Sequence, residues 1–346
     1  GGAGSATAAP SPPRVDVGAA TVGFENVVLR QGEQEVPLAV WYPLPSASDS
    51  KPAAVYPHAI SVAKIVRVFL KITPPRWFDR AVPVPAGSGV AGGTPADRPS
   101  EGRPAVLLLH GYLGSRFDLM DYAEALAARG FIVAAPEFAE TLANPDVFPD
   151  ETLDRLDIVA LAEAALQRDF AVGDVALVGH SAGGGTAAAY PGRHPRVCIA
   201  GFRGADKDKL RDPLLIVASD GDGVISMGPK ESAQWGYTPG LLRSVADLDA
   251  AVEVYDAGTA GGLRESPPPK TAFLRLEEPN HISFLSARTN DAMVATLAPL
   301  LPLAQALGIP VLDFDKYAAS RDSEATAEAV VPVVVAWLEG HMGPRA

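Results

Sequence analysis

The sequence predicts an α/β architecture, a mostly parallel central sheet with helices on both faces and inserted segments near the site where its strands end. Three observations predict it. From Pro104 onward, short β-branched and Leu-rich runs alternate with helix-periodic segments, which is the pattern of a parallel sheet wrapped by helices. The composition is 47% hydrophobic but only 7% aromatic, which suits a large aliphatic core. The length of 346 residues fits one large sheet with insertions.

Taken in order, residues 1–15 read as a flexible tail, small and Pro-rich, as left by a removed leader or a cloning remnant; residues 16–346 read as one domain. A removed leader would imply a secreted or organellar protein. Thr21–Leu29 and Val36–Trp41 are expected strands joined by a Gly-containing turn, an antiparallel start to the sheet. A Pro/Gly/Ser-rich insert at 43–103 interrupts the pattern, and within it SVAKIVRVFLKI (61–72) has helical periodicity. Lys64, Arg67 and Lys71 share one face of that helix. The expectation is a surface helix with its apolar side on the core and its basic residues in water, the rival being contact with a lipid surface.

The remaining elements are strand Ala105–Leu109, helix Phe117–Ala128, strand Phe131–Ala135, helix Leu153–Gln167, strand Val175–Val178 and helix Ala182–Tyr190. Strands Arg196–Gly201, Leu214–Ala218 and Thr271–Leu276 follow, and a helix near Thr326–Leu338 closes the chain, with Pro332 implying a kink or a late start. A second insert, 223–270, carries a helical stretch at Leu241–Ala250 and is long enough to wall a cleft.

The chemistry-bearing signal is DVALVGHSAGGG, in which an apolar strand ends in Gly179-His180-Ser181-Ala182-Gly183 and passes into an Ala-rich helix. This is the G-x-S-x-G nucleophile elbow in its strand-turn-helix setting. The sharp turn strains the backbone at Ser181, and glycines two residues to either side let strand and helix approach closely. An earlier strand ends in His110-Gly111-Tyr112-Leu113-Gly114, placing the Tyr112 and Ala182 amides as the expected oxyanion donors. His110 is expected to brace that loop.

With the order serine, acid, histidine, the base is His281 in EEPNHISF, just past the strand Thr271–Leu276. His58 and His194 lie in loops without a matching strand end, His341 near the terminus, and His180 beside the nucleophile, expected to face away from the chemistry. The acid is Asp222, in the turn Asp220-Gly221-Asp222 after a buried strand, with Asp206 as the alternative and Asp220 as a turn-bracing neighbour.

These segments, roughly Ala105 to Phe284, resemble the α/β-hydrolase superfamily. HGYLGSRFDLMDYAEALAARGFIVAAPE with GHSAGGG is similar to bacterial polyester hydrolases and cutinases, and that resemblance implies Asp222 as acid and His281 as base. The VWYP run and its following insert resemble platelet-activating-factor acetylhydrolases, and LHGYL with RGFIVAAPE resembles chlorophyllases. Both of those place the acid one strand earlier, where this chain reads GFRGAD and offers only Asp206. The resemblance implies a serine esterase or lipase-like enzyme, and the apolar, aromatic-bearing inserts, with Phe69, Trp77, Phe78, Trp235 and Tyr237, suggest a hydrophobic acyl or alcohol group in the ester. A chlorophyllase-like pigment ester hydrolase, an acyltransferase on the same triad and a noncatalytic binding module are the alternatives.

The composition excludes other classes. Net charge is −12 and the Lys and Arg residues form no long runs, so nucleic acid is not an expected partner. The single cysteine, Cys198, lies in an expected strand and rules out an intramolecular disulfide. No run of about 18 to 20 apolar residues exists to cross a bilayer. No His/Cys/carboxylate cluster has ligand spacing, so no metal or other cofactor is implied. The sequence carries no sign of oligomeric state.

Overall fold

The structure is a computed structural model that describes residues 21–44, 51–70, 79–99, 102–143, 153–202, 212–225, 253–265, 267–300, 302, 306 and 323–342. The chain begins with the expected hairpin, β1 (Val22–Gln31) and β2 (Gln34–Pro43), paired antiparallel from Val22 opposite Pro43 to Gln31 opposite Gln34. Gly32 turns it, at a φ of +61° that favours glycine.

The first insert has more order than its composition suggests. It contains the two-residue strands β3 (Val55–Tyr56) and β4 (Ala59–Ile60), helix α1 (Val62–Leu70), then β5 (Arg80–Ala81), β6 (Val84–Pro85) and β7 (Val90–Gly92). Strand β3 pairs with β6 and β4 with β5, while β7 joins the main sheet parallel to β1. One expectation is corrected here. Lys64 does not lie in water: it is 1% exposed, and its Nζ donates to the Ala139 carbonyl at 3.0 Å. Its long apolar stem is buried along with the neighbouring side chains while the ammonium finds a carbonyl, and burial lowers its pKa to about 8. The basic residues of α1 therefore do not form one solvent-facing stripe. Lys71 and Ile72 of the expected helix, with the aromatic Trp77 and Phe78, lie outside the described residues.

The alternating half follows: β8 (Arg103–Leu109), α2 (Met120–Ala128), β9 (Ile132–Pro136), α3 (Arg155–Asp169), β10 (Val172–His180), α4 (Ala182–Ala189), β11 (Arg196–Ile199) and β12 (Leu214–Ser219). Then come β13 (Glu253–Asp256), β14 (Thr271–Leu276), α5 (Ala287–Leu297) and α6 (Ser323–Met342). Helix α2 starts three residues later than expected. Ser115 and Asp118 exchange side-chain and backbone hydrogen bonds that hold Ser115–Phe117 in a turn instead. Helix α3 starts at its cap, where the Asp154 carboxylate accepts from the Leu156 amide at 3.1 Å. Helix α6 starts three residues earlier than expected and runs through Pro332. The expected helix Leu241–Ala250, with Trp235 and Tyr237, lies outside the described residues.

Among the described residues, ten strands form one sheet in the order β13-β14-β12-β11-β10-β8-β9-β2-β1-β7. It is parallel from β13 to β9, and β2 then pairs antiparallel with β9. Side-chain alternation along each strand feeds two cores. On β8, Val106 and Leu108 pack with α2 and α6, including the fully buried Trp337, whereas Ala105, Leu107 and Leu109 pack with α3 and α4. Both faces are covered, so the interior strands read as near-continuous apolar runs.

The insert is pinned to this frame. Trp41 of β2 donates its indole N–H to the Tyr56 hydroxyl at 2.8 Å, and Tyr56 donates to Glu124 of α2 at 2.6 Å. The Tyr56 ring stacks on Phe117 with centroids 5.3 Å apart. Glu124 also accepts from the Gly87 amide at 2.9 Å and from Arg288 of α5. One carboxylate thus ties insert, α2 and α5 together, and burial with the adjacent Glu124 keeps the Tyr56 phenol protonated.

Candidate active site

The site lies at the carboxyl ends of β8, β10, β12 and β14, where an open parallel sheet leaves its loops free to converge. Ser181 stands between β10 and α4 with φ 54° and ψ −118°, a region that non-glycine residues rarely occupy. Two glycines make the turn buildable. A Cβ on Gly179 would lie 2.1 Å from the Gly183 carbonyl oxygen, and one on Gly183 would lie 1.9 Å from that of Leu109. Any larger residue would push helix from strand. As the first residue of α4, Ala182 has a backbone N–H with no intrahelical acceptor.

The sequence-predicted serine, histidine and acid are brought together. His281 Nε2 is 2.9 Å from Ser181 Oγ, and its Nδ1 is 2.8 Å from Asp222 Oδ2. All three side chains are buried. The other Asp222 oxygen, Oδ1, accepts from the backbone amides of Val224 and Ile225 at 2.8 and 2.9 Å. Those two amides fix the carboxylate's rotation, and Asp222 in turn fixes His281 with the Nδ1 proton towards the acid and the Nε2 lone pair towards the serine. Asp220, the neighbouring acid, instead pairs with Arg275 at 2.6 Å on the surface, as expected of a turn-bracing residue. Asp206 lies outside the described residues.

The loop after β8 packs against the elbow: a Cβ on Gly111 would sit 3.2 Å from Ser181 Cβ. Tyr112 follows, 57% exposed as a residue, and Leu113 takes a φ of +63°. His110 braces this loop. Its Nε2 accepts from the Phe138 amide at 2.9 Å, and its Nδ1–H donates to the Gly111 carbonyl at 2.7 Å. Arg155 of α3 donates to the His110 carbonyl at 2.5 Å, and its guanidinium lies over the Phe138 ring. Behind the loop, Arg116 and Glu137 form a buried ion pair. Burial raises the Glu137 pKa and is the largest single effect, but the Arg116 charge together with His110 and Thr141 outweighs it and holds the carboxyl at about 2.

His180 was expected to face away from the chemistry, and Asn280 was not singled out from sequence. His180 does not simply face away. Its Nε2–H donates to the backbone carbonyl of His281 at 2.8 Å, with the two rings 4.8 Å apart. Burial, with His281 adding to it, lowers its pKa to about 3, so the ring is neutral in ordinary buffers. Asn280 folds the loop on which His281 rides, its Oδ1 accepting from the Ile282 and Ser283 amides and from the Ser283 hydroxyl. The G-H-S triplet and the P-N-H-I-S run were the only signals of either. Cys198 is buried and donates to the Gly184 carbonyl at 3.4 Å. His194 bonds the Val175 carbonyl and His341 the Pro269 carbonyl, both remote from the serine in the fold's hydrogen-bond pattern. Among the described residues, no group of three or more His, Cys, Asp or Glu could hold a metal ion, and no helix is long and apolar enough to cross a membrane.

The chain belongs to the alpha/beta hydrolase family, whose model matches residues 106–344. Among solved structures, the chain is similar to a ferulic acid esterase from Streptomyces cinnamoneus. That match has 18% identity and a TM-score of 0.50, and covers 97% of this chain and 93% of that one. A dienelactone hydrolase from Anabaena variabilis matches at 12% identity and TM-score 0.41, covering 93% and 99% of the two chains. An α/β serine hydrolase from Xanthomonas campestris, described as lacking a lid, matches at 13% identity and TM-score 0.40, covering 85% and 98%. At these identities the likeness is one of fold. No curated protein sequence matches the chain.

Proposed function

We propose that this chain is a serine hydrolase that cleaves carboxylic esters of a hydrophobic substrate through an acyl-enzyme on Ser181. The observation that carries the reading is the continuous hydrogen-bond chain from Ser181 Oγ through His281 to Asp222, at 2.9 and 2.8 Å, on a strained elbow. His281 takes the Ser181 proton as Oγ attacks the ester carbonyl, and Asp222 stabilises the resulting imidazolium. The amides of Ala182 and Tyr112 donate to the developing oxyanion, and His281 returns its proton to the departing alcohol. Water activated by the same histidine then releases the acid and restores Ser181.

Among the families that the sequence resembles, the use of Asp222 favours the polyester-hydrolase and cutinase pattern over the acetylhydrolase and chlorophyllase pattern. The test is steady-state hydrolysis of p-nitrophenyl esters over a range of acyl lengths by the native protein and by Ser181→Ala. Turnover that rises with acyl length and vanishes in the variant, with an unchanged circular dichroism spectrum, is expected. Retained turnover in Ser181→Ala would overturn the assignment.

A further inference from the structure

The proposed mechanism does not use Lys64, yet the fold buries its ammonium group beside the turn that follows β9. An ammonium inside a protein costs stability that an apolar side chain of the same shape would not, so a lysine here calls for an explanation. Burial, with Arg67 adding to it, lowers its pKa to about 8 against the charges of Glu137 and Glu140, which are themselves paired with Arg116 and Arg155. Near neutral pH the group is therefore mostly a charged donor, which bonds a carbonyl more strongly than a neutral one would.

That bond goes to the turn of residues 137–142, on which the oxyanion loop leans. The Phe138 amide donates to His110 Nε2 at 2.9 Å, the Leu142 amide to the Leu113 carbonyl at 3.4 Å, and the Thr141 hydroxyl to the Gly114 carbonyl at 2.6 Å. Tyr112 sits between His110 and Leu113, so the chain is held on both sides of the proposed oxyanion donor. Leu113 has a φ of +63°, strained for a non-glycine residue and kept only where neighbours hold it. The same loop reaches the nucleophile, since a Cβ on Gly111 would lie 3.2 Å from Ser181 Cβ. On its other side the turn meets the insert helix. The Ala139 carbonyl accepts from Lys64 Nζ at 3.0 Å, and the Leu142 carbonyl from the Ser61 amide at 2.7 Å. Asp79 fixes the start of that helix, its Oδ1 accepting from the Ser61 hydroxyl at 2.8 Å and the Ala63 amide at 3.1 Å.

We propose that Lys64 is a positioning residue for ester hydrolysis: from the insert helix it holds the 137–142 turn, and through that turn the Tyr112 amide, where the oxyanion develops. The proposal rests on the esterase reading of Ser181. It gives the first insert a part in the reaction without contact to substrate. A misplacement of about 1 Å can cost about 100-fold in rate, so loosening one contact of this link is measurable.

The test measures p-nitrophenyl butyrate hydrolysis by the native protein and by Lys64→Met, Thr141→Val and Thr141→Ser, with kcat expressed per Ser181 titrated to completion by a fluorophosphonate. Methionine keeps the apolar stem and valine the shape, and each removes one donor of the link; serine restores the hydroxyl. Lys64→Met and Thr141→Val should each lower kcat about 10-fold or more with KM within about 2-fold, and Thr141→Ser should recover most of that loss. Affinity for 1,1,1-trifluoroheptan-2-one, whose hemiketal oxygen on Ser181 occupies the oxyanion position, should fall in step. The acid limb of kcat/KM against pH should stay in place, because the variants leave Ser181, His281 and Asp222 undisturbed. Should Lys64→Met not fold, Lys64→Gln, whose amide donor stops one atom short, reads the same contact with an expected loss of at least about 3-fold. An unchanged kcat per titrated serine in the Lys64 variant, whatever its thermal stability, would overturn the proposal and leave Lys64 a residue that only fills the core. A loss at Lys64 without one in Thr141→Val would overturn the route through the turn. A native protein with neither turnover nor fluorophosphonate labelling would overturn the esterase reading and the positioning role with it.

Discussion

Replacing Asp222 by Asn should cost about 10^3- to 10^4-fold in kcat while leaving the fold intact. The structure supplies the reason. Asp222 Oδ1 accepts from the Val224 and Ile225 amides, and Oδ2 faces His281 Nδ1. In Asp222→Asn the carbonyl oxygen must stay with the two amides, because turning the NH2 group towards them would set donor against donor. The NH2 group then faces His281 and donates to Nδ1, which moves the imidazole proton to Nε2. A protonated Nε2 points at Ser181 Oγ, 2.9 Å away, and cannot accept its proton. At about 1.4 kcal/mol per factor of ten, the loss amounts to roughly 4 to 5.5 kcal/mol of transition-state stabilisation. The assay is p-nitrophenyl butyrate turnover for native, Asp222→Asn and Asp206→Asn proteins, with thermal unfolding as a control. A loss below 10-fold at position 222, or a larger loss at position 206, would refute the assignment and move the acid one strand earlier.

Three further outcomes follow from the same geometry. His180→Phe removes the donor to the His281 carbonyl, leaving a buried acceptor worth about 1–3 kcal/mol unpaired, and should lower kcat about 10-fold or more with KM within 2-fold. His180→Gln should recover part of that loss, and a change confined to KM would contradict the positioning role. Gly183→Ala places a Cβ 1.9 Å from the Leu109 carbonyl oxygen and should destabilise by about 2 kcal/mol or more, read as a lower urea midpoint; an unchanged midpoint would contradict it. Glu137, with its pKa depressed from 4.5 to about 2, stabilises the fold fully above about pH 4.5, and that contribution is lost as pH falls towards 2. Unfolding measured between pH 5 and pH 2.5 should therefore show a shallower acid slope in Glu137→Gln, although that variant is less stable at neutral pH; an identical slope would contradict this.

Sequence pattern was most informative where one signal dominated. The parallel strands were legible because burial on both faces makes them continuous apolar runs, so LLIVAS and TAFLRL stand out. Ser181, Asp222 and His281 were legible because each follows such a run at its carboxyl end. Elements stabilised by distant partners were not. Strand β7 is three residues long and exists through pairing with β1. Helix α5, ARTNDAMVATL, alternates small and polar residues and offers weak amphipathic periodicity; Arg288 anchors it through Asp121 and Glu124 of α2. Lys64 illustrates the same limit for burial. Charge placed it outside, whereas the Ala139 carbonyl, 75 residues away, lets it lie inside. His180 and Asn280 act by bonding backbone across loops, which no local pattern encodes.

The most direct measurement of the central proposal is the site of covalent modification. The native protein is treated with a fluorophosphonate, digested and mapped by mass spectrometry, alongside His281→Ala. A single phosphonyl adduct on the peptide containing Ser181, formed rapidly in the native protein and at least about 100-fold more slowly without His281, is the expected result. An adduct on another residue, or labelling of Ser181 at an unchanged rate in His281→Ala, would contradict it.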